Sequence, residues 1–219
     1  MASKFAGRQS LFIDLFAGLG GASQAFVNDP DWTVLQFDNN PDLIPYNPNL
    51  IMMDLSNVQH TLRQISILAF AHEFAYHHVV VWASPPCYEF SLAKGGVRAQ
   101  HYEAGLDFKP DMTLAQATDE IIMGLRKMFA PYRYGSEFWV IENVRGASKY
   151  FEALFGKWRQ HNGSQFLWGN YPKFDIETNE SKASVDKRHS PIRANIRAKI
   201  PIEISQNLKD AIENQTRLF

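Results

Sequence analysis

The chain reads as an open α/β sheet, mostly parallel, with helices on both faces, and three observations predict it. Short β-rich apolar runs alternate with longer stretches of helical periodicity. Several runs, VVVWA above all, are apolar on both faces, as central strands of a helix-covered parallel sheet must be. With 219 residues and 45% hydrophobic content there is material for one sizeable core and little for two, which predicts a single domain over 1–219.

The elements follow in order. SLFIDLF, WTVLQFD, NLIMMD, HHVVVWAS, EFWVIEN and SQFLWG are the expected strands. Residues 21–28, 58–74, 113–129 and 149–159 carry helical periodicity, and PIEISQNLKDAIE predicts a terminal helix within 200–219. Residues 92–112 form a long connection with a Gly95-Gly96 pair and basic flanks, expected to be a mobile loop beside the site. Residues 173–199 are polar and irregular. A lone cysteine cannot form an internal disulfide, and Asp14 interrupts the first apolar run, so neither a signal peptide nor a membrane span is expected. With 22 basic and 23 acidic side chains the net charge is -1, so any polyanion must be met by a local patch.

Ligands of such sheets bind outside the carboxyl ends of the strands, which makes the residues there the ones to examine. The first strand runs into DLFAGLGGASQAF, where Gly18, Gly20 and Gly21 allow a tight turn and a close backbone approach. Their spacing is not the dinucleotide pattern G-x-G-x-x-G, and a purely structural turn fits as well. The second and third strands end at Asp38 and Asp54, placed to accept from a ribose hydroxyl or an amine, though aspartates are also ordinary turn residues. The fourth delivers Ser84-Pro85-Pro86-Cys87, with the prolines stiffening the backbone ahead of the thiol. A lone cysteine is more often a small hydrophobe than a nucleophile. The fifth strand ends in Glu142-Asn143, and an acid following four apolar residues must be satisfied or functional.

LFIDLFAGLGGASQAF, PPCYEFS and ENVRG, in this order, resemble three signature motifs of the cytosine-5 DNA methyltransferases, over residues 11–146. The resemblance implies a Rossmann-like, S-adenosylmethionine-dependent methyltransferase fold. It implies Cys87 as the nucleophile that adds to carbon 6 of a flipped-out cytosine, Glu142 as the acid at ring nitrogen 3, and Asn143 as the holder of the loop. For the cofactor, S-adenosylmethionine, it implies Phe16 beside the adenosyl group and Ala17, Gly18, Gly20 and Gly21 around the methionine moiety. Asp38 would then meet the ribose, Asp54 the adenine amine, and Pro86 the pocket wall. No metal and no membrane are expected. Double-stranded DNA is the expected partner, in the cytoplasm of a bacterial or phage-infected cell.

Three departures qualify the match. Tyr88 stands where the family has glutamine after the cysteine, and Gln160, Asn162 and Ser164 align with a Q-x-R-x-R motif, so both of its arginines are missing. Arg145 and Arg159 are the expected substitutes for the arginine that holds the base. The separate recognition domain of the family is also absent, leaving a reduced recognition segment, 170–199. Its run of Lys182, Lys187, Arg188, Arg193, Arg197 and Lys199 faces the single acid Asp186 and is expected to meet phosphates with Lys94, Arg98 and Gln160, unless it is a solvated loop. A homodimer or partner subunit would add a reading surface. Three alternatives stay open. Ser-Pro-Pro also resembles the motif of enzymes that methylate the exocyclic amine of cytosine, a relative within the cytosine-5 fold methylates transfer RNA, and a degenerate relative would bind without turnover.

Overall fold

Alternate residues of the first strand feed two cores, and this decides the architecture. In the computed structural model, which describes residues 9–73, 75–91, 97–133, 135–163, 165–178 and 192–215, β1 is Ser10–Leu15. Its Leu11, Ile13 and Leu15 enter one apolar cluster and Phe12 enters the other. The remaining strands are β2 (Trp32–Asp38), β3 (Leu50–Met52), β4 (Val79–Ala83), β5 (Glu137–Asn143), β6 (Gln160–Asn162) and β7 (Gln165–Asn170). They form one seven-stranded sheet in the order β3-β2-β1-β4-β5-β7-β6. The first five neighbours pair in parallel, while β7 is antiparallel to both β5 and β6. This is the Rossmann-like, mostly parallel α/β sheet expected from the sequence.

The larger core lies under α2 (Val58–His72), α4 (Thr113–Phe129) and α5 (Ser148–Phe155). Thr61, Ile65 and Ala69 of α2, and Ile121, Ile122, Leu125 and Phe129 of α4, recur at helical spacing and are buried, so each helix turns one apolar stripe to the sheet. Asn57 caps α2 by accepting from His60 N at 3.2 Å. The opposite face is covered by α1 (Gln24–Val27) and α7 (Ile202–Gln215), through Phe26, Ile204, Leu208 and Ile212. Ser205 of α7 joins the two helices: its hydroxyl donates to Ala22 O at 2.6 Å and accepts from Ala25 N at 3.1 Å.

Several elements differ from expectation for local reasons. The helix read over 21–28 shrinks to α1, and Gly21 packs in the turn before it under the backbone of Ile200, whose oxygen would sit 2.3 Å from any Cβ there. The helix read over 149–159 stops at Phe155, since Gly156 turns to φ +75. Within 92–112 the chain forms α3 (Val97–Glu103), and within 170–199 it forms α6 (Arg193–Ala198), both read as loop from sequence. Residues 92–96 and 179–191 lie outside the described residues, with Lys94, Lys182, Lys187 and Arg188 among them. Among the described residues no helix is long and apolar enough to cross a membrane.

Candidate active site

The carboxyl rim of the parallel strands gathers the residues singled out in the sequence. At the end of β1, Phe16 has φ +60, an uncommon conformation for a residue with a side chain, and Gly18 and Gly20 follow at φ +55 and +71. At Gly20 the turn needs a missing side chain, because a Cβ would lie 2.6 Å from Gln36 Nε2. The turn is held to the end of β2: Gly18 N donates to an Asp38 carboxylate oxygen at 3.0 Å, and Asn40 N donates to the other at 3.0 Å. Asn47 reaches the same turn, donating to Gly18 O at 3.3 Å.

Beside this turn opens a cleft of about 250 Å³, lined by Phe16, Asn39, Met53, Asp54, Leu55, Pro86, Tyr88 and Leu114. Phe16, Asp54 and Pro86 were expected around a cofactor, and the structure brings all three to one wall system, with Asp38 adjoining through Asn39. Asp54 accepts from Ser56 N at 3.0 Å and from its hydroxyl at 2.7 Å, and these bonds hold its carboxyl below the usual carboxylate range. Two aromatic rings, a proline and three aliphatic or thioether side chains around one exposed carboxylate suit a flat, partly polar ring system such as adenine. The residues therefore fit S-adenosylmethionine. Sequence reasoning missed Asn39, Met53, Leu55 and Leu114. Met53 and Leu55 flank Asp54 in NLIMMDLS, a signal that was available, whereas Leu114 arrives from the start of α4 by packing alone.

Under the glycine turn lies a buried polar network. Ser23 Oγ donates to Asp14 at 2.5 Å and accepts from Gln36 Nε2 at 2.7 Å, with all three side chains almost wholly out of solvent. Burial raises the Asp14 pKa to about 7; the Ser23 hydrogen bond opposes this and the nearby Asp38 charge adds to it. A folded-state pKa above the unfolded value means that the folded protein resists ionisation. The contribution of Asp14 to stability is thus fully present below about pH 4 and is lost as pH rises through about 7. Thermal melts across this window should show that decline, and Asp14→Asn, which keeps the acceptor for Ser23, should flatten it.

Cys87 and Glu142 leave neighbouring parallel strands at the same rim. Ala83, the last residue of β4, is paired with Ile141 of β5, the residue before Glu142, so the two parallel strands point to the same rim. Both side chains are half-buried. Asn143 is buried and donates through Nδ2 to Pro85 O at 2.8 Å, which ties the end of β5 to the loop carrying Cys87. Its Oδ1 accepts from Val144 N at 2.9 Å, satisfying both ends of the amide. Tyr88, the departure beside the thiol, is exposed and belongs to the cleft wall.

The expected nucleic-acid contacts divide into two groups. Arg145, in the turn after β5, and Arg193 and Arg197, on one face of α6, are exposed. Arg159 and Gln160 have other engagements. Arg159 Nη1 donates to Tyr171 O at 2.9 Å and Gly169 O at 3.3 Å, and its guanidinium lies over the Tyr171 ring. Because β7 is antiparallel to β5, Gly169 sits opposite Val140, away from the rim that carries Glu142. Arg159 is therefore engaged with the carbonyls of β7 and of the segment after it. Gln160 Nε2 donates to Phe174 O at 2.7 Å and Asn162 Nδ2 to Ile176 O at 2.6 Å, so residues 159–162 form a clasp on the carbonyls of the segment after β7. Arg98 also bonds within the protein, to Phe90 O and Gly146 O. Among the described residues no cluster of three or more His, Cys, Asp or Glu could hold a metal ion.

No protein-family model matches the chain, and no curated protein matches it in sequence. Among solved structures it is similar to the Entamoeba histolytica methyltransferase EhMeth, at 16% identity over 78% of this chain and 55% of that one, with a TM-score of 0.44. It is also similar to the S. pombe Dnmt2 methyltransferase, at 17% identity over 74% of this chain and 49% of the other, with a TM-score of 0.38. The chain thus spans about half the length of these two proteins.

Proposed function

We propose that the protein is an S-adenosylmethionine-dependent methyltransferase acting on carbon 5 of cytosine in DNA through a covalent bond to Cys87. The observation that carries this reading is the delivery of Cys87 and Glu142 by adjacent parallel strands to one rim, beside a cleft walled by Phe16, Asp54 and Pro86.

The residue types match what the reaction needs. Carbon 5 of cytosine is a weak nucleophile. The Cys87 thiolate adds to carbon 6, and the electron pair of the 5,6 double bond moves toward carbon 5, while Glu142 supplies a proton at ring nitrogen 3. S-adenosylmethionine, held by Phe16, Asp54, Pro86 and the glycine turn, would supply carbon 5 with an electrophilic methyl from its sulfonium. A water molecule acting as base takes the proton from carbon 5, the electron pair re-forms the 5,6 double bond and expels the Cys87 thiolate, and ring nitrogen 3 returns its proton to Glu142. Phe16 and Pro86 exclude water from the adenosyl side, Asp54 accepts from the amine, and the glycine turn admits the methionine end. Transfer of labelled methyl groups to DNA and to RNA tests the reading: incorporation into DNA supports it, while incorporation into RNA alone would move the substrate to the second polymer.

Sequence choice should be narrow in information. Each good bidentate contact to a base edge discriminates by roughly 1–3 kcal/mol, and it needs a helix or ribbon that reaches the groove. Among the described residues between β7 and α7 the one helix is α6, six residues long, and its exposed Arg193 and Arg197 suit phosphates, which position without specifying. Methylation at a short or degenerate site is expected, about one or two positions around the cytosine, with binding that weakens steeply in salt. Bisulfite sequencing of a treated plasmid checks this. A site of roughly four or more fixed base pairs, read by a protein shown to be monomeric on DNA, contradicts it.

A further inference from the structure

We propose that Arg98 is a positioning residue for the Cys87–Glu142 pair, a latch between the loop after β4 and the turn after β5, and not a contact to nucleic acid. The inference rests on the function proposed above and deepens it.

Sheet hydrogen bonding alone does not place the thiol against the carboxyl. The β4–β5 pairing ends at Ala83 and Ile141, so Cys87 lies beyond the last ladder bond. Two side-chain ties take over. Upstream, Asn143 Nδ2 holds Pro85 O at 2.8 Å, two residues before the thiol. Downstream, the N–H groups of Phe90 and Ser91 both donate to Cys87 O at 3.0 Å, a closed turn that makes Cys87 and Phe90 one unit. Arg98 Nη1 donates to Phe90 O at 3.3 Å and to Gly146 O at 3.1 Å. That nitrogen carries two diverging hydrogens in a fixed plane, one for each loop.

Gly146 gives an independent sign that this junction is built. A Cβ there would lie 2.1 Å from Phe90 O and 2.7 Å from Arg98 Nη1, so only glycine lets the two turns and the guanidinium meet. The Phe90 ring is packed on Tyr150 and Phe151 of α5, with centroids 5.8 and 5.1 Å apart, which anchors the same turn from beneath. Arg98 thus closes the frame on one side of Cys87 as Asn143 closes it on the other. Neither Arg98 nor Gly146 lines the cofactor cleft. Its loss should therefore misplace the reacting groups without weakening cofactor binding.

The test uses full-chain Arg98→Met, which keeps the aliphatic stem, Arg98→Lys, and Gly146→Ala, which wedges the junction apart while leaving the arginine in the sequence. The readouts are kcat, KM for S-adenosylmethionine, the rate of adduct formation on 5-fluorocytosine DNA, and DNA affinity against salt. Arg98→Met and Gly146→Ala should lower kcat and adduct rate by roughly 10- to 100-fold, with KM for the cofactor within about twofold. Arg98→Lys should recover part of the loss, and the salt slope should not change. Retained kcat in both Arg98→Met and Gly146→Ala overturns the proposal. So does a loss of affinity in Arg98→Met with a slope smaller by about 0.9, the mark of one phosphate contact removed. If Arg98→Met does not melt cooperatively, Gly146→Ala decides. Failure of the wild-type protein to form any adduct or any 5-methylcytosine is a different result, since it removes the underlying reading whatever the variants do.

Discussion

Replacing Cys87 by alanine should abolish turnover, by at least ~10⁴-fold, together with the covalent adduct that the proposed mechanism requires on DNA containing 5-fluorocytosine. The fluorine cannot leave as a proton does, so the reaction halts with the sulfur still bonded to carbon 6, and gel electrophoresis counts the trapped protein directly. Cys87 is half-buried on a loop tied down by Asn143, and the loss of one sulfur there leaves both ties intact. The variant should keep its melting temperature and its affinity for S-adenosylmethionine. Near-normal turnover in Cys87→Ala would instead assign the chemistry to direct attack by the exocyclic amine, which needs no thiol.

Changing Glu142 to glutamine slows methyl transfer by about 10²-fold or more and leaves cofactor binding unchanged. Glutamine preserves size and shape in β5, where Glu142 is paired with Leu167, so the sheet is not disturbed. What is lost, on the proposed mechanism, is the acid that would meet charge at ring nitrogen 3. Glu142 is also absent from the walls of the cleft beside Phe16, which is why the Kd for S-adenosylmethionine should not move. Isothermal titration together with single-turnover kinetics checks both halves. Unchanged single-turnover rates would make Glu142 a structural residue.

The parts of the fold legible in the sequence were those set by local pattern. VVVWA and LFIDL read as central strands because both of their faces meet a core, and 113–129 read as a helix because its apolar residues recur every three to four positions. What escaped depends on partners distant in the chain. Gly21 stands in the turn before α1 and packs under the backbone of Ile200, a contact that no local pattern announces. The helices at 97–103 and 193–198 are too short for periodicity to announce. The site divides in the same way. Cys87, Glu142, Phe16, Asp54 and Pro86 stand at strand ends, where their sequence positions already put them on one rim. Arg159 and Gln160 could not be placed so, because their roles depend on which carbonyls of residues 169–174 come near, and an arginine engaged with carbonyls is identical in sequence to one that holds a phosphate.

Mass spectrometry of nucleosides, released from DNA and from RNA after incubation with purified protein and isotopically labelled S-adenosylmethionine, tests the central claim most directly. The account predicts labelled 5-methyldeoxycytidine from DNA. Label on the exocyclic amine of cytosine, or no labelled cytidine from either polymer, would contradict it.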